Sequence, residues 1–341
     1  MGFRIGITRD FLGPDGTPSF GDIGLGLFHQ DPEVEYAFLA ENNRELRSDQ
    51  VRDYDALLVL SPRVTAATLT DAGRLAIIAR FGVGYDTVDV EACNRNATIL
   101  TIAPEGVRRP VAAAALTLIL ALSHKLLIKD RLTRAGRWSE KLGHVGMGLT
   151  GRTLGVIGVG NIGRELLALV RPLEMRQIGY DPYLKAEAAA AIGVELTDLE
   201  SLMHSSDFVC ICCALTPETR HLIDASKIAL MKPAAYLINV ARGPIVDQHA
   251  LTRALAEGRI QGAGLDVFET EPVDAADPLL KLDNVIVSPH GLSWTDQCLL
   301  GTGHSVCSAI LDVASGRIPR NVVNREVLQD PRLEEKLRAR R

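Results

Sequence analysis

The run Gly151-Arg-Thr-Leu-Gly-Val-Ile-Gly-Val-Gly-Asn-Ile-Gly-Arg164 constrains this chain more than any other stretch. A strand-like apolar segment, 153–158, leads into Gly158-x-Gly160-x-x-Gly163, and an amphipathic segment, 162–169, follows. An acid, Asp181, closes the next apolar run about 20 residues on. The glycine spacing alone is a weak signal. In this order of strand, turn, helix and acid it predicts a dinucleotide site. Gly158 permits the tight turn, Gly160 lets backbone approach a pyrophosphate, and Gly163 lets helix and strand pack closely. The first amides of the helix then face the anion, where the helix dipole also favours negative charge. Asp181 can accept hydrogen bonds from ribose hydroxyls and would repel a 2′-phosphate, so the expected cofactor is NAD rather than NADP.

The rest of the chain fits that unit. Short apolar runs at 3–8, 56–60, 76–80 and 98–101 precede it, with polar or amphipathic stretches such as 68–74 and 89–96 between them. Further runs at 177–180, 208–214, 236–240, 262–267 and 285–288 follow. They are nearly continuous in Val, Ile, Leu and Cys, as in strands buried on both faces of a parallel sheet. With 341 residues the chain exceeds one typical core. Two longer helical candidates break the rhythm. One covers 109–127, with Pro110 near its first turn, and the other covers 294–315, ending at Gly316. Reading them as the two connections of an inserted domain gives an α/β protein of two doubly wound parallel sheets. The outer domain would comprise 1–103 and 295–341, and the central dinucleotide-binding domain 104–294.

Composition excludes other classes. A net charge of −5 argues against a general affinity for nucleic acid or an anionic membrane. The basic end, Lys336-Leu-Arg-Ala-Arg-Arg341, reads as a solvated, frayed terminus. Six cysteines without paired Cys-x-x-Cys knuckles are neither a disulfide framework nor a zinc site. Cys210, Cys212 and Cys213 read as small buried hydrophobes, the last two pointing to opposite faces of a strand. No metal is expected. The N-terminus lacks the pattern of a signal peptide, and the apolar stretch 111–122 is short for a bilayer span. These features imply a cytoplasmic enzyme.

Three motifs follow predicted strands, at the sheet edge where open α/β folds bind ligands. They are Asn239-Val-Ala-Arg-Gly243, Asp266-Val-Phe-Glu-Thr-Glu-Pro272 and Ser288-Pro-His-Gly291. Hydride transfer to a ketone requires a proton for the developing alkoxide, and histidine suits that task. Holding an acid requires a cation, and the planar guanidinium fork pairs with a carboxylate. A carboxylate beside the histidine would orient its ring and keep the proton available. His290, Arg242 and Glu271 supply these three types. On chemistry alone, each could equally be structural: a core histidine, a surface arginine and a solvated loop charge.

Taken with Gly158–Gly163 and the Leu215-Thr-Pro-Glu-Thr219 segment, these motifs resemble the D-isomer-specific 2-hydroxyacid dehydrogenase family in order and spacing. The similarity runs from about Ile77 to about Asn324. It implies NAD-dependent hydride transfer at C2 of a small anionic 2-hydroxy or 2-oxo acid, of the glyoxylate or hydroxypyruvate kind. It further implies that Arg242 binds the carboxylate, Glu271 tunes His290, and His290 is the acid/base. Backbone amides of Val83 and Gly84 would also hold the substrate, together with Arg242 and His290. Cofactor contacts are implied for Asn161, Ile162, Ala214, Thr219, Val240, Ala241, Asp266 (at the nicotinamide carboxamide) and His290. A flavodoxin-like substrate domain, cleft closure and a homodimer belong to the same expectation. Relatives also include formate- and phosphite-type dehydrogenases and non-catalytic, NAD-sensing corepressor-like proteins, which stay open as alternatives.

Two departures bear on the substrate. Gly106-Val-Arg-Arg-Pro110 stands where many members carry an acid and a histidine. Arg108 and Arg109 there could face a second anionic group or simply solvate the helix. Trp294, soon after His290, could pack at the hinge or wall the substrate. Arg63 and Arg80 are further cations that could reach the acid.

Overall fold

The computed structural model describes residues 2–338, which fall into two compact units. One comprises the chain up to Val107 together with the chain from Trp294 onward, and the other is Arg108–Ser293.

The first unit opens with β1 (Phe3–Ile7), β2 (Val34–Phe38), α1 (Ser48–Val51), β3 (Ala56–Val59), β4 (Ile77–Arg80), α2 (Val90–Arg95) and β5 (Ile99–Thr101). Its five strands are all parallel in the order β2-β1-β3-β4-β5, the flavodoxin-like arrangement. β3 shows why they form: Ala56-Leu-Leu-Val59 is fully buried, and each such Leu or Val contributes roughly 2 kcal/mol by leaving water.

Two helices then lead into the second unit, α3 (Pro104–Ser123) and α4 (Leu126–Arg134). The second unit proceeds as β6 (Thr153–Ile157), α5 (Asn161–Val170), β7 (Arg176–Tyr180), α6 (Ala186–Ala190), β8 (Glu195–Leu196), α7 (Leu199–Ser205) and β9 (Phe208–Ile211). It continues with α8 (Ala225–Ala229), β10 (Tyr236–Asn239), α9 (Gln248–Ala256), β11 (Gly262–Leu265) and β12 (Val285–Val287). All seven strands are parallel, in the order β12-β11-β10-β9-β6-β7-β8. The order reverses between β6 and β9, the switch point at which doubly wound sheets bind ligands. Ala112, Ala115, Leu118, Ile119 and Leu122 of α3 pack on this sheet with Leu154, Val156 and Ile238.

The chain returns to the first unit through α10 (Asp296–Ala314) and α11 (Pro331–Arg338). Val306, Cys307, Ile310 and Val313 of α10 join Ile5, Ile7, Leu58 and Ile77 in one core. Asn324 locks the return. Its Oδ1 accepts from the Leu100 amide at 2.8 Å, and its Nδ2 donates to the Thr98 carbonyl at 2.9 Å, more than 200 residues away in sequence.

Several sequence expectations change. β2 and β8 add to the strands that the apolar runs predict, and the polar stretch 68–74 forms turns. The first long helix starts at Pro104, so Pro110 lies in its interior, where it removes the bond to the Gly106 carbonyl. That helix stops at Ser123, because Lys125 turns left-handed (φ 52°) before α4 begins. Its 20 residues are long and apolar enough to cross a membrane by length and composition, which the shorter stretch had not suggested. The second long helix begins at Asp296, with the Thr295 hydroxyl capping the Cys298 amide at 3.2 Å.

β9 ends at Ile211, so Cys212 and Cys213 lie beyond the strand rather than on its two faces. Burial pushes the Cys213 thiol up to about 12. The hydrogen bond with Cys210, followed by burial, raises Cys212 as well. Both therefore remain protonated, unreactive thiols.

The basic C-terminal segment is not frayed where it is described, although Ala339, Arg340 and Arg341 lie outside the described residues. Lys336 Nζ donates to the Leu75, Asn96 and Ala97 carbonyls at 2.8, 2.6 and 3.1 Å. Arg332 Nη1 reaches the Arg95 carbonyl at 3.0 Å. The carbonyls left over at the C-terminal end of α2 are thus satisfied by cations from α11.

Candidate active site

At the switch point, β6 ends in the glycine loop. Gly158 is left-handed (φ 90°), and a Cβ there would sit 2.5 Å from the Cys213 amide nitrogen, so the loop after β9 touches it directly. A Cβ on Gly163 would lie 2.2 Å from the Gly158 carbonyl oxygen, which explains how closely α5 packs on the strand. Gly160 differs: a Cβ there would meet nothing within 4 Å. It stands as N-cap of α5 and offers no side chain to the first-turn amides of Asn161, Ile162 and Gly163. Open space above a glycine and an uncapped helix start are what a pyrophosphate needs, so these residues fit a dinucleotide.

Asp181 closes the loop from the end of β7. Its Oδ2 accepts from the Val159 amide and its Oδ1 from the Tyr183 amide, both at 2.9 Å. The carboxylate is thereby held beside the glycine turn, with lone pairs left for a ribose. After β9, Thr219 Oγ1 donates to the Ala214 carbonyl at 2.8 Å and accepts from the Thr216 amide at 2.8 Å. This fixes the turn that carries both residues.

Past β10, buried Asn239 closes the loop on itself. Its Oδ1 accepts from the Ala241 amide at 3.0 Å, and its Nδ2 donates to the Arg242 carbonyl at 2.9 Å. Val240, within that loop, is buried. The Arg242 side chain donates from Nη1 to the Ala241 carbonyl at 2.8 Å.

After β11, buried Asp266 organises the loop that bears His290. Its Oδ1 accepts from the Ser288 hydroxyl (2.7 Å) and from the Gly291 (3.0 Å) and Leu292 (3.1 Å) amides. His290 sits between those anchors in a left-handed conformation, φ 51°. Its Nδ1 lies 2.7 Å from Glu271 Oε2, while Glu271 Oε1 accepts from the Phe268 amide at 2.9 Å. Burial, the largest single influence on Glu271, would raise its carboxyl. The His290 hydrogen bond and charge, the Phe268 amide and the Arg242 charge together outweigh burial and hold it below the usual carboxylate range. An ionised carboxylate only accepts, so Nδ1 carries the proton and Nε2 is the nitrogen turned to other partners.

The structure thus brings Arg242, Glu271 and His290 together in the second unit. Val83 and Gly84 lie in the first unit, on the loop after β4, where the Ala103 amide donates to the Gly82 carbonyl at 2.8 Å. Of the four other arginines, Arg108, Arg109 and Arg80 have side-chain contacts within the fold, and Arg63 is tied through its backbone. Arg108 and Arg109 both pair with Glu165 of α5, at 3.3 and 2.7 Å. The Arg80 guanidinium donates to the Phe81 carbonyl, and the Arg63 backbone bonds the Arg44 carbonyl at 2.8 Å. Trp294 packs edge-on against Phe20, with ring centroids 4.9 Å apart, and is half exposed. Sequence reasoning missed a second histidine–carboxylate pair nearby. His221 Nε2 lies 2.6 Å from Glu269 Oε1, and only the shared loop with Glu271 could have hinted at it.

Comparison with known proteins places this geometry. Residues 116–291 match the model of the D-isomer specific 2-hydroxyacid dehydrogenase, NAD binding domain. A glyoxylate reductase of Thermococcus gammatolerans is 38% identical over 321 residues, 92% of this chain and 96% of the relative. A D-3-phosphoglycerate dehydrogenase of Methanocaldococcus jannaschii is 39% identical over 310 residues, 90% of this chain but 58% of the relative. Among solved structures, a D-lactate dehydrogenase from Aquifex aeolicus, complexed with NAD and lactic acid, superposes with a TM-score of 0.81. It is 26% identical and covers 95% of this chain and 97% of that one. The chain therefore belongs to the D-isomer-specific 2-hydroxyacid dehydrogenase family, and its central unit is that family's NAD-binding domain.

Proposed function

We propose that this NAD-dependent dehydrogenase interconverts a small 2-oxo acid and its D-2-hydroxy acid, of the glyoxylate or hydroxypyruvate class, with His290 as acid/base. The observation that carries the assignment is the 2.7 Å contact between His290 Nδ1 and Glu271 Oε2. It fixes the tautomer, so Nε2 is the nitrogen that gives its proton to the carbonyl oxygen in reduction and takes it back in oxidation. Arg242 pairs with the substrate carboxylate and polarises the adjacent carbonyl. The amides of Val83 and Gly84 are assigned to the same carboxylate through the family resemblance. When bound, NAD supplies the hydride acceptor or donor. Asn161, Ile162 and Gly163 hold its pyrophosphate and Asp181 its ribose. Ala214, Thr219, Val240, Ala241, Asp266 and His290 are assigned to its remaining contacts.

The glyoxylate class is favoured because glyoxylate reductases of Thermococcus gammatolerans and Pyrococcus furiosus are 38% and 36% identical over 92% of this chain. A homodimer fits the exposed apolar side chains of Leu126, Trp138, Leu142 and Val145 in one stretch of the second unit. The six cysteines stand as thiols, in keeping with a reducing cytoplasm.

The test is a panel of glyoxylate, hydroxypyruvate, phosphohydroxypyruvate, formate and phosphite with NADH or NAD, run on the native enzyme and on His290→Ala. Reduction of a small 2-oxo acid is expected. The variant should lose about 100-fold or more in turnover while binding NAD nearly as before. Near-native turnover by His290→Ala, or oxidation of formate or phosphite alone, sinks this reading.

A further inference from the structure

The 266–272 loop carries two glutamates, and each meets a histidine. Glu271 pairs with His290, and Glu269 Oε1 lies 2.6 Å from His221 Nε2. Both histidines are left-handed, with φ of 51° for His290 and 50° for His221. A side chain other than glycine keeps that conformation where its surroundings hold it, and such positions cluster at working sites. The reaction described above uses only the first pair.

What His221 touches suggests its task. Its backbone N–H donates to the Pro244 carbonyl at 2.8 Å, two residues beyond Arg242. Its ring engages Glu269, two residues before Glu271. One residue therefore bonds to both loops that carry the site. Glu269 is held from its other side as well. Its Oε2 accepts from the Gln248 amide at 3.2 Å, and its own amide donates to Gln248 Oε1 at 2.9 Å. Gln248 Nε2 in turn donates to Asp277 Oδ2 at 2.8 Å. Where the two loops meet directly they touch backbone to backbone, at Gly243 and Phe268, a contact that resists compression but not separation.

We infer that His221 is a positioning residue. By bonding Pro244 and Glu269 together, it fixes the Arg242 guanidinium relative to the Glu271 carboxylate, and so fixes how the bound acid sits against the His290 proton. The inference rests on the assignment of Arg242, Glu271 and His290 proposed above. Reactions of this kind are sensitive to placement, since a shift of about 1 Å can cost about 100-fold.

The test uses the full chain and four variants: His221→Ala, His221→Gln, Glu269→Gln and the double His221→Ala/Glu269→Gln, with His290→Ala alongside. Kinetics are read with glyoxylate and NADH varied separately, well below the unfolding temperature of each variant. His221 is exposed, so the variants should fold. His221→Ala is expected to lower kcat about tenfold and to raise KM for the acid several-fold, leaving KM for NADH unchanged. His221→Gln, whose amide nitrogen stands near the place of Nε2, should recover most of the loss. The double variant should be no worse than His221→Ala, because both changes break one link.

Native kinetics in His221→Ala would overturn the inference. So would a fall in kcat with KM for the acid unchanged and no rescue by glutamine, since lost folded protein alone does that. Additive losses in the double variant would overturn it too. His290→Ala separates the two levels. A normal His221→Ala beside an inactive His290→Ala overturns the positioning role alone. An active His290→Ala overturns the site assignment, and the positioning role with it.

Discussion

Gly243 presses so closely on Phe268 that a Cβ would fall 1.9 Å from both the carbonyl carbon and the carbonyl oxygen of that residue. Backbone meets backbone there, between the loop carrying Arg242 and the loop carrying Glu271. A side chain cannot be absorbed by rotation, so one loop must move. Gly243→Ala is expected to cost about 1–3 kcal/mol of stability, as overpacking does. It should also lower turnover more than the stability loss explains. Urea titration together with kcat at a temperature where the variant is fully folded checks both.

Asp266 is the anchor of the His290 loop, and its removal strands three donors. Asp266→Ala should destabilise by about 3 kcal/mol, because each partly buried donor left unpaired costs up to about 1–3 kcal/mol and some will find water. Ser288→Ala removes one bond of the three and should cost about 1 kcal/mol. The ratio between the two, measured by denaturant midpoint, distinguishes an anchor from a single contact. Equal costs would count against it.

Asp181 should set cofactor choice. Asp181→Ser removes a negative charge from the ribose position and loosens the Val159 and Tyr183 amides it now accepts. The ratio of kcat/KM with NADH to that with NADPH is expected to fall about tenfold or more, equivalent to about 1.4 kcal/mol. An unchanged ratio would show that discrimination lies elsewhere.

Glu271 makes stability depend on pH in a definite direction. Its folded carboxyl lies below its usual range, so the unfolded chain binds the proton more readily. The contribution is fully present above the unfolded value of about 4.3 and disappears as pH falls through the lowered folded value. The difference in unfolding free energy between native enzyme and Glu271→Gln, followed from pH 7 downward, should stay level to about pH 5 and then shrink. A difference that grows on acidification contradicts the assignment.

Much of this was legible in the chain because burial on both faces leaves a continuous apolar run. β3, β6, β9 and β10 announce themselves in that way. β2 did not, since Val34-Glu-Tyr-Ala-Phe38 is an edge strand with one solvated face. β8 has only two residues and no pattern to show. The glycine loop could be read because steric need dictates residue type locally. The pairing of His221 with Glu269 could not, because it joins positions 48 apart whose meeting depends on how β9, β10 and β11 align. The anchor role of Asp266 was hidden for the same reason: its three donors come from the end of a different strand. Arg108 and Arg109 drew attention as free charge, and only the placement of α5 shows that Glu165 occupies them both.

The return of the chain through α10 and Asn324 dictates an order of manufacture. On the ribosome, the central unit has every strand it needs once residue 293 has emerged, and it can close its sheet at that moment. The first unit, although begun earlier, must wait with Ile5, Leu58 and Ile77 uncovered until Val306, Ile310 and Val313 arrive to cap them. The segment made first is thus the last to be finished, and its uncovered apolar face is what a nascent-chain chaperone would have to shield.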